Sequence, residues 1–198
     1  MYHNIYAEYV EKELRNMRYE ARKITDRTGG EIELRSAEAS DCEALLRYLK
    51  TTASETPFLI CDPDEVTLTP EQEKEFIMKK EASDRELLLI ALENGRHIGN
   101  CSLMSISGYR RYRHRCGIAI ALYKEYCGRG IGRAMLETVL DEARKAGYEQ
   151  AELEVIADNE KAISLYEDMG FVKYGTMPDN ARFDDGRSFD AYWMMKKL

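Results

Sequence analysis

The sequence predicts an α/β fold, with a mixed, mostly antiparallel, twisted sheet of about six to seven strands and flanking helices. Three observations predict it. Short apolar or alternating segments are interleaved with longer amphipathic segments of helical spacing. Asn94-Gly95 stands between two strand-like segments, which is a strong signal for a hairpin turn. Residues 116–136 run from an apolar strand through a glycine-spaced loop into an amphipathic helix.

The N-terminal segment reads as a charged helix over residues 4–27. Its apolar residues lie roughly along one stripe, and Thr28-Gly29-Gly30 would end it. A chain of 198 residues with 44% apolar content can bury the core of one domain. We therefore predict an N-terminal helical extension, residues 1–28, and one domain, residues 29–198. The extension is either a solvated helix or a dimerisation element, so a homodimer remains open.

The domain's first half combines strand alternation with helix-start signals. Pro70 suits the first turn of a helix, and acidic residues follow it. The predicted elements are a strand over 31–35, a helix from Ser40 or Asp41 to about Lys50, a helix beginning near Thr69 or Pro70, and a hairpin of strands 85–92 and 97–106.

The second half continues with alternating strands and helices. Gly147 is a natural stop for the helix that follows the glycine-spaced loop. The predicted elements are a strand over 115–122, a helix over 131–146, a strand over 150–156, a helix after Asn159, and a terminal hairpin of 171–177 with 189–195.

Composition excludes several classes of function. Acidic residues outnumber basic ones by 36 to 29, which argues against a nucleic-acid partner and suits a cationic amine. The five cysteines are scattered without a C-x-x-C pair, so we expect reduced thiols in a cytoplasmic protein and no metal site. The N-terminus has no apolar signal segment, and no stretch of about eighteen apolar residues occurs, so we expect no membrane span.

The glycine-spaced loop has the composition of a phosphate site. Gly128, Gly130 and Gly132 allow the chain to curl around a ligand, and the following helix supplies unpaired N–H groups and a positive dipole end. A P-loop would need Lys and then Ser or Thr after the last glycine, where Arg133 and Ala134 stand. The spacing G-x-G-x-G also differs from the Rossmann pattern G-x-G-x-x-G. A tight turn without a ligand is the alternative.

A second strand and helix follow between Leu153 and Phe171. Asp158 and Asn159 are good helix N-cap types, and Gly170 suits the position after the helix.

Together the two segments resemble the GNAT superfamily of N-acyltransferases. The family pattern Q/R-x-x-G-x-G/A corresponds to Cys127–Gly132, with Cys127 in place of Gln or Arg. The pattern N-x-x-A-x-x-L-Y-x-x-x-G-F matches Asn159–Phe171 without a gap. The resemblance implies direct acetyl transfer from acetyl-CoA to a primary amine, on a small molecule or a protein N-terminus, in a ternary complex without a metal.

The resemblance also implies site residues. Tyr166 would donate a proton to the departing sulfur, and Arg129 or Arg133 would replace the phosphate contact missing at Cys127. Tyr166 as a core aromatic and Asn159 as a helix cap are the alternatives. The implied acetyl-CoA contacts are Ile120, Leu122, Cys127, Gly128, Arg129, Gly130, Ile131, Gly132, Arg133, Ala134, Asn159 and Tyr166.

The general base has no clear candidate. Close relatives of the pattern often carry Glu on the strand before the loop, where this chain has Gly117. His114, a water chain to Glu154 or Asp158, or an amine that arrives neutral are the alternatives. Cys116 and Cys127 have no paired His in sequence and are not expected to carry the acyl group. A non-catalytic acyl-CoA-binding module is therefore the rival function.

Overall fold

The computed structural model describes residues 16–183 and 185–198. Within them, no helix is long and apolar enough to cross a membrane. The strands are β1 Arg22–Thr25, β2 Glu31–Ser36, β3 Leu87–Glu93, β4 Arg96–Ser105, β5 Arg115–Leu122, β6 Gln150–Ile156, β7 Val172–Arg182 and β8 Ser188–Lys197, and the helices are α1 Cys42–Glu55, α2 Pro70–Glu81, α3 Ile131–Lys145 and α4 Glu160–Asp168.

All these strands join one eight-stranded sheet in the order β1-β2-β3-β4-β5-β6-β8-β7. Among the strands of the described residues, only β5 and β6 pair in parallel. At one edge, the pairing of β7 with β8 shifts register between Lys173 and Gly175 and again between Met177 and Ala181. The mixed, mostly antiparallel α/β fold is confirmed, although the sheet has one or two strands more than predicted.

The additional strand is β1, where the sequence was expected to form a helix. Residues 4–15 of that predicted helix lie outside the described residues, whereas Arg22–Thr25 pairs antiparallel with β2, with Ile24 opposite Ile32. The Asp26 carboxylate accepts the N–H groups of Thr28, at 2.9 Å, and Gly30, at 2.8 Å, which closes a turn. The hydrogen bonds of this turn favour a hairpin over the helix that the weak helical spacing predicted. The turn lets β1 and β2 pair side by side.

The two faces of the sheet carry different helices. Successive residues of β3 alternate between the faces, so Leu88 and Ile90 meet Leu45 of α1 and Ile77 of α2. The opposite face packs against α3, whose predicted inward residues are all buried: Ile131, Met135, Leu136, Val139, Leu140 and Ala143.

The helix starts follow from local chemistry. Thr69 accepts the N–H of Gln72 and Pro70 occupies the first turn of α2, as its sequence predicts. Gly130, with φ of 85°, is the N-cap of α3, a left-handed conformation that suits glycine.

A wedge opens between β5 and β6. The strands pair only from Arg115 to Gly117 with Gln150 to Glu152, and then diverge. Residues 118–122 keep their partners on β4, but their other edge has no partner on β6. This free edge offers main-chain groups to an extended ligand.

Candidate active site

The glycine-spaced loop lies at the end of the wedge. We call the N–H groups of residues 128–133 the cradle. Gly128 and Gly130 have φ values of 83° and 85°. Within residues 16–183 and 185–198, none of the N–H groups from 128 to 133 donates to a protein acceptor, and the first bond of the turn is Ala134 N–H to the Gly130 carbonyl at 3.2 Å. Unpaired donors at a helix start, together with the helix dipole, fit a diphosphate.

The predicted wedge residues meet around Gly132. A Cβ at Gly132 would lie 3.3 Å from Leu122 Cδ1, 3.7 Å from Leu165 Cδ2 and 3.8 Å from Ile120 Cδ1. Glycine therefore allows α3 to approach β5 and α4 closely. This packing brings Ile120, Leu122 and Gly132 together, as predicted, at the junction of the wedge and the cradle.

The Arg129 side chain lies in a carboxylate cluster. Its Nε lies 2.5 Å from Asp26 Oδ2, and Nη2 contacts Glu93, which also accepts from the Tyr126 hydroxyl at 3.2 Å. Burial raises the pKa of Asp26, but hydrogen bonds from Thr28, Arg129 and Gly30 outweigh it and lower that pKa to about 2. The guanidinium of Arg129 is therefore already neutralised, while its N–H remains part of the cradle.

Arg133 also has protein partners. Its guanidinium donates to Asp168 at 2.8 Å and to the Met169 sulfur at 3.5 Å, joining the start of α3 to the end of α4. The guanidinium contacts predicted for Arg129 and Arg133 thus compete with carboxylates of the protein itself.

The two cysteine thiols near the site are poor nucleophiles. Cys116 is fully buried, donates to the Gln150 carbonyl at 3.4 Å, and has its pKa raised to about 12 by burial. Burial also raises the pKa of Cys127, despite the exposed position of this residue in the loop. Both thiols stay protonated near neutral pH, which agrees with the expectation that neither carries an acyl group.

Asn159 is the N-cap of α4. Its Oδ1 accepts the N–H of Ala162 at 3.3 Å, so the cap reading is confirmed. Its contact with acetyl-CoA stays a prediction, which the cap leaves open because the side-chain amide N–H₂ is not used by it.

Tyr166 is buried at 7% exposure, and its ring meets Phe171 edge-on at 5.9 Å. In the described part of the chain, its hydroxyl has no hydrogen-bond partner. Burial, followed by the nearby Cys101, raises the pKa of the phenol. It therefore keeps its proton near neutral pH and can donate it.

The α1 side of the wedge carries carboxylates. By register, Gly117 and Ala119 of β5 share this face with Glu152 and Glu154 of β6. Glu152 binds the Arg115 guanidinium at 2.5 and 2.6 Å, and this ion pair lowers its pKa.

Glu154 is exposed and lies beyond the part of β6 that pairs with β5, while it pairs with Trp193 of β8 on the other side. It accepts Trp193 Nε1–H at 3.0 Å and the Asn180 side-chain N–H at 2.8 Å, and among the described residues it has no cationic partner.

His114 lies immediately before β5. The residues of β5 that pair with β6 separate it from the wedge. Its carbonyl accepts the N–H groups of Glu149 and Gln150 at 2.9 and 3.0 Å. Three residues along an extended strand separate it from Gly117 by roughly 10 Å. This distance argues against its direct action at the wedge.

Sequence reasoning missed the residues that hold the loop from outside. Asp26 is 103 positions from Arg129, and Glu93 is 36 positions away, so no local pattern joins them. The sequence around Thr28-Gly29-Gly30 does indicate a break in the chain, but it was interpreted only as the end of a helix. Among the described residues, no three His, Cys, Asp or Glu side chains are grouped so as to hold a metal ion.

Comparison with solved structures finds proteins with the same fold. The chain superposes on a GNAT-family acetyltransferase from Streptococcus pneumoniae with a TM-score of 0.81 and 30% identity, covering 84% of this chain and 99% of that one. An acetyltransferase from Salmonella typhimurium, solved with its cofactor acetyl-CoA, has the same fold, with a TM-score of 0.75, 22% identity, and coverage of 84% and 94%.

Three curated relatives match shorter stretches. The L-amino acid N-acyltransferase MnaT of Escherichia coli is 28% identical over 56% of this chain and 64% of its own length. The N-alpha-acetyltransferase 30 of Schizosaccharomyces pombe is 37% identical over 45% of this chain and 59% of its length. The ribosomal protein bS18-alanine N-acetyltransferase of E. coli is 48% identical over 26% of this chain and 35% of its length. The chain thus spans less than two thirds of the length of these relatives.

The sequence model described as the acetyltransferase (GNAT) family matches residues 45–171, which include the wedge, the cradle, Asn159 and Tyr166. The chain belongs to the acetyltransferase (GNAT) family.

Proposed function

We propose that this protein is an N-acetyltransferase that transfers the acetyl group of acetyl-CoA to a primary amine by direct attack in a ternary complex. The observation that carries the proposal is the run of unpaired N–H groups from 128 to 133 at the end of the β5–β6 wedge. The Salmonella relative holds acetyl-CoA on the same fold, which supports the choice of acyl donor.

The cradle and the wedge would hold different parts of acetyl-CoA. The diphosphate accepts from the N–H groups at the start of α3, and the pantetheine extends along the free edge of residues 120–122. The thioester then lies where β5 and β6 part, near Tyr166. A β5 N–H facing the wedge stabilises the negative charge that develops on the carbonyl oxygen.

An α-amino group is the acceptor that this site serves best. Its pKa of about 7.7–8.0 leaves a sizeable neutral fraction at neutral pH, whereas a lysine amine near 10.4 is almost fully protonated. Gly117 supplies no carboxylate, so an acceptor that needs little deprotonation fits. The named relatives act on L-amino acids, on the alanine of bS18 and as an N-alpha-acetyltransferase, and all of these names describe α-amino chemistry.

Glu154 is the group that would accept the remaining proton, directly or through a water. It lies on the α1 side of the wedge, where the acceptor would enter, and its two hydrogen bonds come from uncharged groups. Tyr166 would then protonate the departing thiolate. Its hydroxyl retains its own proton and has no protein partner among the described residues.

The experiment is acetylation of a panel of acceptors, followed by mass spectrometry. The panel holds free amino acids, peptides with different N-terminal residues, and polyamines, each with acetyl-CoA. We expect acetylated α-amino products and equimolar CoA. Saturable binding of CoA without turnover on any amine would favour the non-catalytic module, and no binding of any CoA species would overturn both functions.

The role of Glu154 has a separate test. Glu154→Gln keeps the side-chain size and is expected to lower kcat by about 10²-fold, within the usual range for acid–base catalysis, at unchanged affinity for acetyl-CoA. Glu137→Gln, an exposed carboxylate on α3, is the matched control and is expected to act as wild type. Equal rates for both variants would leave deprotonation to solvent and overturn the role of Glu154.

A further inference from the structure

A main-chain hydrogen bond and a side-chain ion pair connect the turn between β1 and β2 to the loop that carries the cradle. The Arg27 N–H donates to the Arg129 carbonyl at 2.9 Å, and the Asp26 carboxylate binds the Arg129 guanidinium. The Gly30 backbone lies so close that a Cβ there would be 2.9 Å from Arg129 Nη2. This turn precedes residues 45–171, which the family model matches.

The Arg27 side chain runs along the cradle itself. A Cβ on Gly130 would lie 3.2 Å from both Cγ and Nε of Arg27 and 3.4 Å from its Cδ. Gly130 is the N-cap of α3, next to the unpaired N–H groups. The Nε atom of the Arg27 guanidinium therefore lies within a few ångströms of the position where a phosphate would bind.

The charges around the loop single out Arg27. Arg129 is neutralised by Asp26 and Glu93, and Arg133 is paired with Asp168. Over residues 16–183 and 185–198, the Arg27 guanidinium is in no ion pair and no side-chain hydrogen bond, and the residue is exposed. Cys127 supplies no strong N–H donor where the family pattern has Gln or Arg.

We infer that Arg27 is a cofactor-binding residue that contacts a phosphate group of coenzyme A and compensates for Cys127. The inference rests on the proposed function, since it needs the cradle to hold CoA. The Asp26–Arg129 pair is then a positioning contact: it fixes the turn so that Arg27 lies beside the helix start. Arginine suits this role because its planar fork binds phosphate through two parallel hydrogen bonds.

Binding of CoA and of dephospho-CoA, measured by calorimetry, tests the inference without turnover. Arg27→Gln is expected to weaken CoA binding about tenfold, as for loss of one charge-assisted contact. If Arg27 contacts the 3′-phosphate, the variant binds dephospho-CoA as wild type does. If it contacts the diphosphate, both ligands lose affinity equally.

Two further variants separate the contact from general charge. Arg27→Lys keeps the cation and is expected to recover part of the affinity. Arg22→Gln removes an equal charge from the same hairpin, but near Lys145 at the opposite end of α3, and is expected to bind CoA as wild type does.

Wild-type affinity of Arg27→Gln for both ligands, or an equal loss in Arg22→Gln, would overturn the inference. In either case CoA binding by the wild-type protein would leave the proposed function standing. A wild-type protein that binds neither ligand would instead refute the proposed function and, with it, the inference. Thermal unfolding of each variant checks that the exposed substitutions leave the fold intact.

Discussion

Two tyrosines of similar burial differ in what their hydroxyls do. The Tyr148 hydroxyl lies 2.7 Å from Ser105 Oγ and donates to the Arg85 carbonyl at 3.0 Å, whereas that of Tyr166 has no partner in the described residues. The Tyr166 residue keeps 7% exposure, and its hydroxyl is not among the fully buried polar atoms that lack a partner. A hydroxyl without a protein partner, next to a predicted thioester site, is available for a ligand.

Tyr166→Phe is therefore expected to lower kcat by about 10²-fold, since the departing thiolate loses its proton donor. The affinity for acetyl-CoA is expected to change little, because the ring and its packing on Phe171 remain. Steady-state kinetics with calorimetry of acetyl-CoA measures the two effects separately.

Tyr148→Phe is the control for loss of a buried hydroxyl. It is expected to cost about 1–2 kcal/mol of stability, because the Arg85 carbonyl loses its donor, and to leave kcat unchanged. Unchanged turnover in Tyr166→Phe would contradict the role of Tyr166, and an equal fall in both variants would assign the effect to packing.

At the scale of single elements, β4 and β5 carry two glycines with opposite surroundings. A Cβ on Gly99 would lie 2.8 Å from the Ala121 carbonyl oxygen and 2.8 Å from Leu122 Cγ. A Cβ on Gly117 would meet Ile106 Cδ1 at 3.5 Å, Met104 Cε at 3.7 Å and the Met104 carbonyl oxygen at 3.9 Å, which are ordinary contacts. Only the first glycine is required by packing.

Gly99→Ala is expected to destabilise the protein by about 2–3 kcal/mol, because the backbone of β5 must shift away. Gly117→Ala is expected to be neutral or to stabilise by about 0.5 kcal/mol, since its φ is not positive and the unfolded chain loses freedom. Urea unfolding measures both, and a Gly117→Ala variant as unstable as Gly99→Ala would contradict the described packing.

The elements also differ in how far the sequence determines them. The strand over 115–122, the strand over 150–156 and the helix after Gly130 were predicted almost to the residue, because apolar periodicity and glycine stops are local signals. β1 was missed because four residues carry little periodicity, and its partner lies across a turn. The same limit applies to the site: backbone donors follow from the glycines, but the partners of Arg129 come from a distant turn and a distant strand.

For the whole molecule, His97 is one source of sensitivity to mild acid. It is 6% exposed, and neither ring nitrogen has a hydrogen-bond partner in the part of the chain that the structure describes. Burial lowers its pKa to about 4, with Asp41 opposing and Arg35 reinforcing this effect. The rings of Tyr48 and Tyr123 face it edge-on, at 4.8 and 6.5 Å.

Because the unfolded chain binds a proton at His97 near pH 6.5 and the folded chain only near pH 4, stability is fully present above that range and falls as the pH drops through it. The loss is on the order of 3 kcal/mol. His97→Phe is expected to remove this pH dependence and to raise stability at neutral pH, since no orphaned nitrogen remains buried.

His97→Gln separates these two contributions. It removes the titration but keeps a buried polar group, so it is expected to flatten the pH dependence without the gain at neutral pH. Free energies of unfolding from urea titrations between pH 4.5 and 7.5 give the slopes. A wild-type slope retained in both variants would assign the acid sensitivity to other groups.

The register shifts of β7 bear on self-association. β7 occupies an edge of the sheet, where an exposed row of peptide groups normally templates the addition of another strand. Here the ribbon is irregular twice, Pro178 offers no N–H, and Asp179 bends the chain with φ of 51°. These features oppose regular pairing of a second copy along this border, so this edge is protected against fibril-like growth.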